Sequence, residues 1–111
     1  MSRREYLGEL EEVVLLAVAR CEPAAYGMSI RKEIEEQSGR AVSIGAVYAV
    51  IDRLEDKGLL KRAAAPAGRA PDPRARRFFA VTKIGTAALQ DTAALRDRLW
   101  RGLRLTRRSA E

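Results

Sequence analysis

The stretch Ser43-Ile44-Gly45-Ala46-Val47-Tyr48-Ala49-Val50-Ile51-Asp52-Arg53-Leu54-Glu55-Asp56-Lys57-Gly58-Leu59-Leu60 reads as a helix with two unlike faces. Val47, Val50, Ile51 and Leu54 recur at helical spacing and form one apolar stripe. Ser43 is a good N-cap, and Gly58 sits where a glycine ends a helix, so the spacing predicts a helix over 43–57. The other face begins with Gly45, Ala46 and Ala49, which offer almost no side chain. Glycine inside a helix costs up to about 1 kcal/mol against alanine, so something must favour smallness there. Close approach of another surface to that backbone is one such reason.

Composition restricts what that surface is. The chain has 111 residues, enough for one domain with one core. Cys21 is the only cysteine and there is no histidine. A disulfide within the chain is therefore excluded, as are histidine-dependent triads and metal sites built on histidine or cysteine clusters. The sequence calls for no cofactor, and no glycine-rich phosphate loop or pair of carboxylates suggests an enzyme. The apolar run 13–19 is too short to span a bilayer and follows the acidic Glu9, Glu11 and Glu12, so a cytoplasmic protein is expected. Charge is uneven: residues 57–77 hold seven basic side chains against Asp72 alone, net +6, whereas residues 1–56 are net −4. A concentrated positive segment is the footprint of a polyanion binder, although a solvated basic loop has the same composition.

Outward from the opening stretch, the elements fall in a definite order. Leu7, Leu10, Val13, Val14, Ala17 and Val18 predict a first helix over 6–20, with acids in its first turns and Glu22-Pro23 closing it. Ser29 is expected to cap a second helix running to Ser38, ended by Gly39. Residues 59–63 and 77–81 read as short strands around a Pro-, Gly- and Arg-rich loop too long for a tight turn. Thr82 is placed to cap a last helix over 83–105, with a stripe of Ile84, Ala88, Leu95, Leu99 and Leu103, and Leu89, Ala93 and Trp100 beside it.

Three helices, a strand, a basic loop, a strand and a long helix is the order of a winged helix-turn-helix with an added terminal helix. The expected fold is mainly α with a small β-hairpin. Residues 1–82 form the DNA-binding part and residues 83–111 the terminal helix and tail, within one structural unit. In such a fold the helix of the opening stretch enters the major groove by its N-terminal residues, which explains their smallness. Phosphate can meet the N–H groups at the Ser43 end, and the basic loop would be the wing.

The same residues resemble the PadR family of bacterial transcriptional regulators. The resemblance rests on Tyr26-Gly27, on Ser43 through Tyr48, on Arg53-Leu54-Glu55 and on Lys57-Gly58-Leu59-Leu60. It continues through Arg76-Arg77-Phe78-Phe79, Val81-Thr82 and Gly85, so it covers residues 6–90. It implies a homodimeric regulator, usually a repressor, bound to double-stranded and palindromic operator DNA, with a small aromatic effector in some members. It also implies that Tyr48 lies at the DNA face and that dimers join through the first and last helices. Many members carry proline where Ala49 stands here, and some carry a separate C-terminal helical domain, so the chain resembles the short, single-domain branch. The phenolic-acid response of the founding type is not carried over.

The expected DNA-binding residues are accordingly Ser43, Ile44, Gly45, Ala46, Tyr48, Ala49, Arg53, Arg69, Arg74, Arg76 and Arg77. Tyr48 has an alternative reading as a core-flanking aromatic, and Arg53 as a partner of Asp52, Glu55 or Asp56. Arg31 and Lys32 either touch phosphate or pair with Glu35 and Glu36 four residues on. Gly45, Ala46 and Ala49 supply none of the usual bidentate base readers, so selection is expected to lean on the wing and on DNA shape. The expected dimer interface is Leu7, Leu10, Val14, Leu89, Leu95, Leu99, Trp100 and Leu103, with Trp100 also a candidate platform for a planar ligand. Two rival readings stay open: a winged-helix module that binds an acidic protein instead of DNA, and an Arg- and Leu-rich last helix that lies on a membrane surface.

Overall fold

The last expected helix and its hairpin depend on how the first three helices close over the core. The computed structural model describes residues 6–67 and 77–105. In chain order these form α1 (Glu9–Cys21), α2 (Gly27–Ser38), α3 (Ile44–Asp56), β1 (Leu60–Ala63), β2 (Phe78–Val81) and α4 (Lys83–Trp100). The strands pair antiparallel, with Leu60 opposite Val81 and Ala63 opposite Phe78.

The first three helices bury most of the stripe their spacing predicts. Val14, Leu15 and Val18 of α1, Ile30 and Ile34 of α2, and Val47, Val50, Ile51 and Leu54 of α3 meet in one cluster with Leu59, Leu60 and Phe79 of the hairpin. Full burial of side chains of this size contributes roughly 1.5–3 kcal/mol each, so this cluster is the main source of stability. Ser43 caps α3: its Oγ accepts from the Ala46 N–H at 3.0 Å, an arrangement worth about 1 kcal/mol. After α3 the chain reverses at Gly58, whose φ of +76° is the left-handed region that favours glycine.

The hairpin is fastened at both ends. The Phe79 N–H donates to the Ala25 carbonyl at 2.9 Å, so the connector between α1 and α2 runs beside β2. At the other end the Thr82 N–H donates to the Leu59 carbonyl at 3.1 Å and its hydroxyl to the Gly58 carbonyl at 2.7 Å. The same Thr82 Oγ1 accepts from the Gly85 N–H and caps α4. Gly85 is needed here for space, because a Cβ would overlap the Leu59 carbonyl.

Four expectations require correction. First, α2 starts at Gly27 and its N-cap is Tyr26, not Ser29. The Ser29 hydroxyl turns back from inside the first turn, accepting from the Tyr26 N–H and donating to the Ala24 carbonyl, each at 2.9 Å. Second, α1 begins at Glu9, because the Gly8 N–H is taken by Glu11 Oε1 at the helix entry. Third, α4 stops at Trp100, short of Leu105. Fourth, α4 turns Gly85, Ala88 and Thr92 inward and leaves Ile84 and Leu99 exposed. Thr92 is buried because its Oγ1 accepts the Leu7 N–H at 3.1 Å, tying the start of the fold to α4.

Candidate nucleic-acid interface

The bare face of α3 is open. Nothing lies within 4 Å of where a Gly45 Cβ would stand. Ser43, Gly45, Ala49, Asp52 and Arg53 are exposed, while Ile44 and Ala46 are half-buried at the margin. A rod entering a groove by its first two turns would thus present backbone and methyl groups first. The acids Asp52 and Asp56 come only later on α3.

Tyr48 stands at the edge of this face, half-buried. Its phenol crosses the first turn of α2: a Cβ on Gly27 would sit 2.9 Å from the Tyr48 ring carbon Cε2 and closer still to its hydroxyl end. On the ring lies the Arg77 guanidinium, 5.1 Å from the centroid, a cation–π contact. Tyr48 and Arg77, read from the sequence as two separate candidates, are therefore brought together, and they join α3 to the base of the wing. Tyr26 and Phe78 add an edge-to-face contact with centroids 5.7 Å apart. The pairing of Tyr26 with Gly27 thus has two uses: the tyrosine packs on β2, and the glycine makes room for Tyr48.

At the hairpin, Lys61 and Arg62 are exposed. Arg62 donates to Glu55 at 2.9 Å and its guanidinium lies 5.5 Å from the Phe79 ring centroid, so part of the positive charge is held by α3. Arg69, Arg74 and Arg76 lie outside the described residues.

Arg53 has a different partner from the three expected. It faces Glu11 of α1 at 3.9 Å, and Lys57 donates to the same carboxylate at 2.9 Å. The Lys57 hydrogen bond holds the Glu11 carboxyl below its ordinary range, against the opposing effect of burial, with the Gly8 N–H and the charges of Lys57 and Arg53 adding to it. The far end of α3 is therefore fastened to α1. Local spacing could not reveal this, because Glu11 and Lys57 are 46 positions apart. The acid cluster at the start of α1 was the available signal, and its sign matched the basic end of α3.

The residues expected between two copies divide. Leu7 and Val14 lie in the chain's own core, at 7% and 0% exposure. Leu89 and Leu95 are half-buried, and Leu10, Leu99, Trp100 and Leu103 are exposed. Arg96 is bound to Glu12 of α1 at 3.0 Å.

A three-helix core with an antiparallel hairpin packed against the first and third helices defines a winged helix. The chain belongs to the PadR-like family of transcriptional regulators, whose model matches residues 15–91. It is thus a member of a family of regulators and not of enzymes. Among solved structures it is similar to RosR of H. salinarum, with 25% identity, a TM-score of 0.68 and coverage of 92% of this chain and 84% of that one. A PadR-like transcription factor from Bacteroides fragilis shares the fold at 22% identity and a TM-score of 0.64, covering 81% of this chain and 82% of that one. So does F93 from STIV, a winged-helix DNA-binding protein, at 19% identity and a TM-score of 0.63, with 90% and 100% covered. No curated protein sequence matches the chain. Among the described residues, no helix is long and apolar enough to cross a membrane.

Proposed function

We propose that this PadR-like regulator is a homodimeric repressor that binds a palindromic operator through the first two turns of α3 and the Arg-rich wing. The observation that carries this reading is the open, side-chain-poor start of α3 beside a wing base whose Arg77 is stacked on Tyr48. Backbone that approaches a phosphate-lined groove closely needs small residues and nearby cations, and both are here on one side. Ser43, Ile44, Gly45, Ala46 and Ala49 enter the groove, and Arg69, Arg74, Arg76 and Arg77 meet phosphate. Tyr48 contributes by holding the wing base. Arg53 is engaged by Glu11 and contributes less than the sequence suggested.

Two copies are joined through the exposed apolar end of α4 and the exposed leucines of α1, and Trp100 at 58% exposure is the platform for a small aromatic effector. The test of DNA binding is a mobility shift with the protein's own upstream region and with a random duplex. Replacing Arg76→Ala together with Arg77→Ala should weaken both and flatten the salt dependence by roughly one unit of slope per lost phosphate contact. Unchanged binding at physiological salt would show that the wing does not touch DNA. Binding to an acidic protein with no shift of any duplex would favour the protein-interaction reading.

A further inference from the structure

The turn between α2 and α3 contains a closed ring of polar contacts. Arg31 Nε donates to the Val42 carbonyl at 2.7 Å. The Arg31 guanidinium also meets Glu35 Oε2 at 3.3 Å, and that same oxygen accepts from the Val42 N–H at 3.3 Å. Both backbone groups of the residue just before the α3 N-cap are therefore held by one side-chain pair on α2. The pair is about one-third exposed on each side, 33% and 31%, and so is better shielded than a free surface ion pair. Further back the turn is held by the Arg40 N–H, which donates to Ser38 Oγ at 3.1 Å.

From this ring we infer that Arg31 and Glu35 are positioning residues that set the angle at which α3 is presented to DNA, and so govern sequence selection without touching it. The inference rests on the proposed reading of α3 as the groove-entering helix. The bare face makes α3 unusually dependent on placement. A long arginine or glutamine can follow a base edge when its helix tilts, but Gly45, Ala46 and Ala49 have no such reach. A tilt at Val42 therefore moves backbone and methyl groups out of contact with nothing to compensate. The same ring accounts for Arg31 otherwise: a basic residue in the first turns of α2 looks like a phosphate contact, yet its Nε and one terminal nitrogen are already directed at Val42 and Glu35.

The sign of the Glu35 effect separates the two accounts. If Arg31 and Glu35 acted only through charge, removing the acid would strengthen binding to every duplex. If they act as a clasp, removing it lowers selectivity. The test uses Glu35→Ala and Arg31→Met in the full chain. The DNA probes are the duplex that the parent protein enriches from a randomised library and a random duplex of equal length. Melting curves give the folded fraction, and amide hydrogen exchange at Val42 reads the clasp without DNA.

We expect faster exchange at Val42 in both variants. The preference for the enriched duplex should fall about tenfold, the scale of one lost base-pair contact. Glu35→Ala should bind random duplex at least as well as the parent, and Arg31→Met should keep the parent's salt slope. Unchanged Val42 exchange, an intact preference, or a slope reduced by one with both affinities falling together would each overturn the clasp. A parent that enriches no duplex would overturn the DNA-recognition reading, and with it the selection role, while Val42 exchange would still show whether the ring holds the turn.

Discussion

Gly27 and Gly45 occupy the starts of neighbouring helices, yet their surroundings impose opposite constraints on them. At Gly27 a methyl group meets the Tyr48 ring and hydroxyl, and the ring cannot withdraw without leaving Arg77 and the edge of the core. Gly27→Ala should therefore destabilise the protein by about 1–3 kcal/mol in a denaturant melt, the usual cost of overpacking. Adding Tyr48→Phe, which removes the hydroxyl, should recover part of the loss. A Gly27→Ala protein as stable as the parent would show that Tyr48 is not fixed there. At Gly45 nothing is near, so Gly45→Ala should gain up to about 1 kcal/mol of helix stability. Both glycines stand out in the sequence, and Gly45, placed by helical spacing on the outward face, is exposed. The reason for Gly27 was not legible, because the residue that demands it lies on another helix and was itself read as a DNA contact.

At the scale of elements, α3 is held by its apolar stripe, its Ser43 cap and the Glu11 contact at its far end. Its open face should accept bulk in the free protein: Ala49→Leu should leave the melting temperature nearly unchanged and reduce operator affinity. A large loss of stability instead would mean that this face is covered. The link to α1 predicts a pH dependence. Glu11 has its folded-state pKa lowered from the ordinary 4.5 by the Lys57 hydrogen bond first. The unfolded chain therefore takes up that proton before the folded one, and stability falls as pH drops. The stability difference between the parent and Glu11→Gln should be fully present above pH 4.5 and shrink as acid carries the folded protein through the depressed value. A difference that persists unchanged in strong acid would exclude the ion pair as its source. The helices and strands were readable because period and capping residues agree with packing. The start of α2 was not, since Ser29 satisfies the N-cap backbone from within the helix, nor was the inner face of α4, because it runs through Gly85 and the polar Thr92, whose burial depends on the Leu7 N–H far away in the sequence.

At the scale of the whole molecule, exposed apolar side chains lie at the end of α4, in the residues after it and on the outer side of α1. Leu99, Trp100, Leu103 and Leu105 are 53–69% exposed, and Leu10 and Leu16 of α1 are 39% and 45% exposed. Exposed apolar side chains that form a patch usually mark an interface. Charge is compatible with a second copy as the occupant: Arg98 lies in the last turn of α4, Arg101 and Arg104 follow it, and α1 opens with the exposed Glu9, beside Glu11 and Glu12, which hold Lys57 and Arg96 of their own chain. A two-fold pairing would set the α4 end of each copy near α1 of the other and bury both patches. It would also place two α3 helices for half-sites about one helical turn of DNA apart, or a multiple of that. The burial of Val14 supplies a control that the sequence could not. Leu99→Glu with Trp100→Glu changes only exposed positions, so it should leave the monomer folded and convert a sedimenting dimer to a monomer, with operator binding lost alongside. Val14→Glu places an acid in the core and should unfold the chain itself. A parent that sediments as a monomer at micromolar concentration and floats with anionic liposomes would instead assign the α4 end to a membrane surface, because the same arginines among the same leucines suit anionic lipid as well as an acidic helix.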